Sequence, residues 1–385
     1  MSLWRQFSNW FWNPYVWLPK GFSWKDFVSN EKITYPQWID LWTYPFFMAF
    51  LAIGIRFLIL NKLLFRPIAT YFGIKDIKAR PVVPNSTLEE LFRSHKIKAP
   101  NEAIIACAKK LDWSQRKVER WLRQRLLMNK VSKQTKFMEC AWQFLYYSSM
   151  FTYGIYVMLQ KPWLYDLNKC WYDYPYHNLD SDVWWYYMIS LSFYWAMVFT
   201  HFFEAKRKDF WQMFFHHLVT ISLITFSWTC NFTRVGTLIL ILHDTADIPL
   251  QAAKMCIYVG HKALCDAVFA LFAVTWVLTR DCIYPFWIVR NTMFEATNII
   301  PLFPAYYIFN TLLVILLILH FYWTYFIFRI IANTMVKGKM EDDRSSSDEE
   351  FILSESDSFE KENGVNKIKK ECNGYNHNTQ QNVSR

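Results

Sequence analysis

Seven stretches of this 385-residue chain are long and apolar enough to cross a bilayer, at about 20 residues each. They run Trp38–Leu60, Met138–Leu159, Val183–Phe203, Gln212–Thr229, Val235–Tyr258, Ala263–Leu278 and Phe303–Ile331. A backbone in hydrocarbon must satisfy its own polar groups, so these stretches predict an all-α polytopic membrane protein of about seven transmembrane helices. The sixth stretch is short and the seventh long, which suits a tilted, uneven bundle. With 53% hydrophobic and 20% aromatic residues and only nine glycines, an ordinary soluble domain is excluded for most of the chain. Mean hydropathy is near zero because two polar regions, Arg66–Lys136 and Lys337–Arg385, dilute the membrane part.

Lysine and arginine set the expected orientation. The first connection carries Lys62, Arg66, Lys75, Lys78 and Arg80, and the third is Lys206-Arg207-Lys208, whereas the second, Gln160–Asp182, is acidic. The positive-inside rule then places the first and third connections and the C-terminal tail in the cytosol and the N-terminus in the lumen. The expected organisation is a lumenal or interfacial N-terminus at 1–37, a first span at 38–65, a small basic helical unit at 80–130, a membrane domain at 131–335 and a disordered tail at 336–385. The aromatic N-terminus has neither the charged n-region nor the apolar h-region of a cleavable signal peptide, and suits a segment lying at the membrane interface.

The fourth and fifth spans, within Phe210–Met255, contain His216, His217, His243, Asp244 and Asp247. Ionisable groups are expensive in hydrocarbon and rarely lie there without a partner or a task. His243 and Asp247 are spaced i, i+4 and Asp244 and Asp247 i, i+3, so all three are expected on one broad helix face opposite the His pair. A neutral imidazole deprotonates an amine or attacks a thioester, and a nearby carboxylate orients it, so the set suits acyl transfer. The same donors also suit a divalent metal such as zinc or iron.

With these residues, the run KRKDFWQMFFHHLVTISLITFSW followed by RVGTLILILHDTADIPLQAAKM resembles the signature of the ceramide synthase family, N-acyltransferases with a TLC domain. KPWLYD at Lys161–Asp166, WWYYMISLSFYW at Trp184–Trp195 and YPFWI at Tyr284–Ile288 are similar to the family as well. Asn85-Ser-Thr-Leu-Glu-Glu opens like a capped helix, and the run from Leu111 to Arg125 resembles a third homeodomain helix packed through Val118, Trp121 and Leu122. Gln124 stands where homeodomains read adenine through an asparagine, so this 80–130 unit is similar to the truncated homeobox-like domain of animal ceramide synthases, with nucleic acid an unfavoured partner.

The resemblance implies transfer of a fatty acyl group from acyl-CoA, as co-substrate, to the amine of a sphingoid base. It implies no cofactor and no metal, His216 as nucleophile or base, His217 as helper, Asp244 and Asp247 as orienters and His243 in the same motif. It also implies residence in the endoplasmic reticulum membrane among lipids, and homo- or hetero-dimers with other ceramide synthases. Lys206, Arg207 and Lys208 are placed to meet CoA phosphates from the cytosol, or simply set topology. Ile248 and Gln251 replace an aromatic and a glutamate common in the family, and Glu204 an aspartate, leaving the charged set intact. A non-catalytic lipid-binding or lipid-sensing TLC protein and a membrane-tethered DNA-binding regulator are the alternative classes.

Two features of the remaining sequence bear on regulation and redox state. Ser345, Ser346, Ser347 and Ser354 each precede an acid by three residues and are candidate phosphorylation sites for acidophilic kinases. Cys170 and Cys282 are the pair expected to share a disulfide, within or beside lumenal connections, the latter in a long aromatic sixth-to-seventh connection at Thr279–Pro304.

Overall fold

The computed structural model describes residues 3–74, 76, 81–95, 99–128, 131–204 and 209–337. All regular structure among them is helical. Contacts divide the chain into a large unit, Met1–Ile77 with Val131–Glu341, and a small one that includes Lys78–Lys130.

In the large unit a short amphipathic helix, α1 (Leu3–Phe11), precedes α2 (Trp38–Gly54), which continues through π-type turns at Ile55–Phe65 and ends at Tyr71. In the small unit, α3 (Ser86–His95), α4 (Asn101–Leu111) and α5 (Gln115–Met128) enclose one core. Leu88, Val118, Trp121 and Leu122 are buried there, and the carboxamide of Asn85 accepts from the Thr87 and Leu88 amides at 3.1 and 3.2 Å, capping α3. The large unit then resumes with α6 (Lys133–Met158), α7 (Ser181–Thr200), α8 (Phe210–Thr229), α9 (Thr233–Val259), α10 (Lys262–Trp276) and α11 (Ala305–Lys337).

Among the described residues, three helices are long and apolar enough to cross a membrane: Trp38–Tyr71, Lys262–Ile299 and Ala305–Met335. Their outer faces carry belts of exposed apolar side chains, such as Phe47, Leu58 and Leu63 on α2 and Ile318, Tyr325 and Phe328 on α11. Water does not tolerate apolar surface on that scale, and lipid does. α6 to α9 lie where the other central stretches were expected, and their buried polar and aromatic residues lower their apolarity.

The 38-residue helix ending at Ile299 corrects the sequence expectation of a short sixth span followed by a long connection. Residues 277–299 continue α10, and only residues 300–304 connect to α11. Nothing between Val277 and Ile299 breaks a helix except Pro285, which has no N–H to donate. The chain absorbs it by winding in π-type turns from Val277 to Val289.

One end of the bundle is sealed by residues far apart in sequence. The Trp171 indole donates to Asn291 Oδ1 at 2.7 Å, Tyr174 Oη to the Cys230 carbonyl at 2.9 Å and the Trp228 indole to the Gln37 carbonyl at 3.0 Å. Lys161 Nζ reaches Asp180 at 2.6 Å and Asp182 at 2.9 Å. Cys170 is buried in this seal and Cys282 is exposed, and both are free thiols, so the expected disulfide is not formed. Their side chains belong to different environments because the stretch containing Cys282 is helix rather than loop. Away from this end, buried Arg56, in the continuation of α2, forms an ion pair at 2.5 Å with partly buried Glu204, just beyond α7.

Two predictions follow from this packing. A Cβ on Gly236 would overlap the hydroxyl of buried Tyr187, so Gly236→Ala is expected to cost about 1–3 kcal/mol, read as a lower thermal midpoint in detergent. His177, 1% exposed within the seal, is held down to about 4 by burial and by the charge of Arg234. Unfolding returns it to its ordinary value of 6.5, so the unfolded chain binds the extra proton between those limits. The contribution is fully present above pH 6.5 and declines as pH falls towards 4, by up to about 3 kcal/mol. His177→Gln is expected to flatten the pH dependence of the unfolding midpoint across that window.

Candidate active site

Residues of α7, α8, α9, the continuation of α10 and α11 line a cavity. Most of its wall is apolar, including Ile239, Leu240, Leu313 and Leu316. Its histidine, acidic and basic lining residues are His216, His243, Asp247 and Arg280. On α11, Asn310 also lines the wall, ten residues before His320, which places it about 15 Å along the helix at 1.5 Å per residue. The cavity thus has a charged end and a long apolar body, with Leu302 and Phe303 towards the far end.

Neighbouring residues on a helix point about 100° apart, and this divides the expected set. His216 faces the cavity, its ring centroid 5.3 Å from that of Trp323 on α11 in an edge-on contact. His217 is buried towards α7, its ring 6.2 Å from Tyr194 and 6.0 Å from His201. On α9, His243 and Asp247 are one turn apart and share the cavity wall. Asp244, expected on the same face, points instead towards α7, where Tyr186 Oη donates to its Oδ2 at 3.4 Å. The reason is geometric: positions i and i+4 align closely, while i+1 lies a quarter-turn away. Gly154 on α6 leaves room for the Tyr186 hydroxyl, which would come within 2.9 Å of a Cβ there.

The tautomer of His243 is fixed by its own helix. Its Nδ1 lies 2.7 Å from the Ile239 carbonyl, an obligate acceptor, so Nδ1 carries the proton and Nε2 keeps the lone pair. Among the described residues, neither that Nε2 nor His216 Nδ1 has a hydrogen-bond partner. His216 and His243, both lining the charged end of the cavity, thus each keep one buried ring nitrogen without a partner among the described residues.

Two more ionisable groups complete this end, and the sequence reading passed over both. Arg280, in the π-type part of the sixth helix and 3% exposed, donates from Nη2 to the His243 carbonyl at 2.5 Å and to Asp247 Oδ2 at 3.4 Å. Its Nη1 is 3.4 Å from Nε2 of fully buried His320 on α11, and its guanidinium lies 5.0 Å from the Trp276 ring. His320 in turn stacks obliquely on His243, ring centroids 5.0 Å apart. His320 is a lone histidine in the seventh apolar stretch, a signal by the same cost of intramembrane charge, whereas Arg280 falls in what the sequence presents as a connection.

No group of three His, Cys, Asp or Glu side chains among the described residues is arranged to hold a metal ion. Lys206, Arg207 and Lys208, and the tail serines Ser345, Ser346, Ser347 and Ser354, lie outside the described residues.

The family profile described as the TLC domain matches residues 136–329, the stretch that contains every residue of this cavity. Human ceramide synthase 5 is 39% identical over 353 residues, covering 89% of each chain. Human ceramide synthase 3 is 37% identical over 345 residues, again 89% of each. The chain belongs to the ceramide synthase family. Ceramide synthase hyl-1 of Caenorhabditis elegans is similar over a shorter stretch, 41% identical over 231 residues, 56% of this chain and 62% of that one. In this ceramide synthase family member the cavity and its charged end are built from α7 to α11, the loops joining them and Trp171 of the α6–α7 connection, all inside the TLC domain.

Tyr186→Phe tests the sorting of the two aspartates. It removes the donor to Asp244 while leaving the cavity lining unchanged, and is expected to lower the unfolding midpoint by the equivalent of about 1–3 kcal/mol.

Proposed function

We propose that this chain transfers a fatty acyl group from acyl-CoA to the amine of a sphingoid base, and that the transfer takes place at the charged end of the α8–α11 cavity. The family membership supports the reaction. The observation that carries the site is that His216 and His243, each with a buried ring nitrogen lacking a partner among the described residues, line one end of a mostly apolar cavity beside Asp247 and Arg280.

In the transfer the amine nitrogen bonds to the thioester carbonyl carbon, the carbon–sulfur bond breaks, and the amine proton passes through an imidazole to the departing thiolate. His243 Nε2, with its lone pair fixed by the Ile239 carbonyl, suits the proton acceptor. His216 suits a second base or a nucleophile that carries the acyl group between thioester and amine. Asp247 orients and balances charge beside them, and His217 and Asp244 support the two helices from the α7 side. The apolar body of the cavity takes a hydrocarbon chain and excludes water from the reacting carbon.

In the same reading all seven hydrophobic helices span the endoplasmic reticulum membrane, with the N-terminus and the sealed end lumenal and the tail cytosolic. Lys206, Arg207 and Lys208 then meet CoA phosphates at the cytosolic face, membrane lipids deliver the base, and the protein assembles as a homo- or hetero-dimer. Residues 80–130 are a homeobox-like cytosolic unit in this arrangement, and the serine-rich tail takes phosphate.

The purified protein in detergent, given sphinganine and acyl-CoAs of graded chain length, is expected to form N-acyl product. His216→Ala and Asp247→Asn are each expected to lower the rate at least about 100-fold while retaining the parent unfolding midpoint within a few degrees. No product with any donor would favour a lipid-binding protein, and full activity in both variants would move the chemistry elsewhere.

A further inference from the structure

Arg280 has no part in the acyl-transfer chemistry described so far, yet it is the cation among the described residues that lines the cavity. A guanidinium carries five N–H donors and no acceptor. Here Nη2 is engaged by the His243 carbonyl and Asp247, and Nη1 approaches His320. Nε is buried and without a partner among the described residues. An unpaired charged donor in such a place is costly unless a ligand completes it.

From this arrangement we infer that Arg280 is a catalytic residue whose free N–H groups hold the carbonyl oxygen of the acyl group and stabilise the negative charge that oxygen gains during transfer. The inference rests on the site proposed above and adds the component it lacks. Attack on the carbonyl carbon, by the amine or by His216, converts C=O to a tetrahedral C–O⁻, and collapse restores C=O as the carbon–sulfur or carbon–imidazole bond breaks. Neutral imidazoles supply and remove protons but do not neutralise that oxygen. Fixed donors aimed at a developing oxyanion stabilise it most where water is absent and the donors need no rearrangement.

Arg280 meets both conditions. It is 3% exposed, and it is held from several sides: by the His243 carbonyl and Asp247 on α9, by His320 on α11, and by the ring of Trp276 on its own helix. The His243 carbonyl has a specific consequence. It ties the guanidinium to the residue whose Nε2 bears the free lone pair, so proton acceptor and oxygen holder are fixed to one turn of α9. The Asp247 contact, longer at 3.4 Å, neutralises the cation without occupying Nε.

A role confined to balancing Asp247 predicts different behaviour from a role at the carbonyl, and kinetics separate them. Arg280→Lys, Arg280→Gln and Arg280→Ala are to be purified in detergent and compared with the parent for unfolding midpoint, kcat and KM for acyl-CoA and sphinganine. In the folded variants kcat is expected to fall about 100- to 1000-fold while both KM values change less than about fivefold. Added guanidinium or methylguanidinium is expected to raise kcat of Arg280→Ala at least about tenfold and to leave His216→Ala unaffected.

Loss of less than about threefold in every folded variant would overturn the inference, as would a loss carried by KM alone or a kcat defect that added guanidinium does not recover. If Ala fails to fold, the Lys and Gln variants carry the same decision through their kcat and KM values. Inactivity of the parent, or full activity of His216→Ala, would instead overturn the site on which the inference rests.

Discussion

A guanidinium buried in a membrane domain requires compensation, and the groups that supply it here organise the cavity. Arg280 draws on a backbone carbonyl and a carboxylate of α9, a histidine of α11 and the face of its own Trp276. None of these contacts is large by itself. Together they fix the relative placement of three helices around one point, because each partner loses its bond if its helix shifts by a fraction of a turn. The hydrocarbon setting raises the penalty for such a shift, since no water replaces a lost partner.

The division of the His and Asp residues follows from that convergence. Once His243 and Asp247 turn towards Arg280, helix geometry directs Asp244 towards α7, and Tyr186 meets it there. The adjacent pair on α8 is divided in the same manner, with His216 on the cavity and His217 among the rings of α7 and its end. A motif that looks like one charged cluster in sequence is therefore two layers in space: one beside the cavity, one supporting the helices behind it. The sealed end, with Trp171, Tyr174 and Trp228 donating across distant segments, closes the opposite side of the bundle.

Much of this was legible in the residues. The apolar stretches predicted the helices, and the cost of intramembrane charge singled out α8 and α9, because periodicity and burial cost are local properties of a sequence. Three things were not legible. Arg280 lay beyond the expected end of the sixth span, since Pro285 and the polar residues near it suggested a connection, and π-type winding that accommodates a proline leaves no simple pattern. His320 was a single histidine in a long apolar run, and only the fold shows that it stands against His243 and Arg280. The separation of Asp244 from Asp247 needed the direction of the cavity, which depends on how α9 is rotated against its neighbours. Arg56, in the first span, was likewise unassigned until Glu204 appeared beside it.

The central claim is that the reacting acyl chain lies in the α8–α11 cavity with its carbonyl at the charged end. Photo-crosslinking tests it directly: the purified protein is incubated with a long-chain acyl-CoA bearing a diazirine near the far end of the chain, irradiated, digested and mapped by mass spectrometry. The account predicts labels on cavity residues about 15 Å from the charged end, such as Phe309 and Asn310, and their suppression by excess unlabelled acyl-CoA. Labels confined to the lipid-facing belts, such as Phe47 and Leu58 of α2 or Phe328 of α11, and indifferent to that competitor, would contradict it.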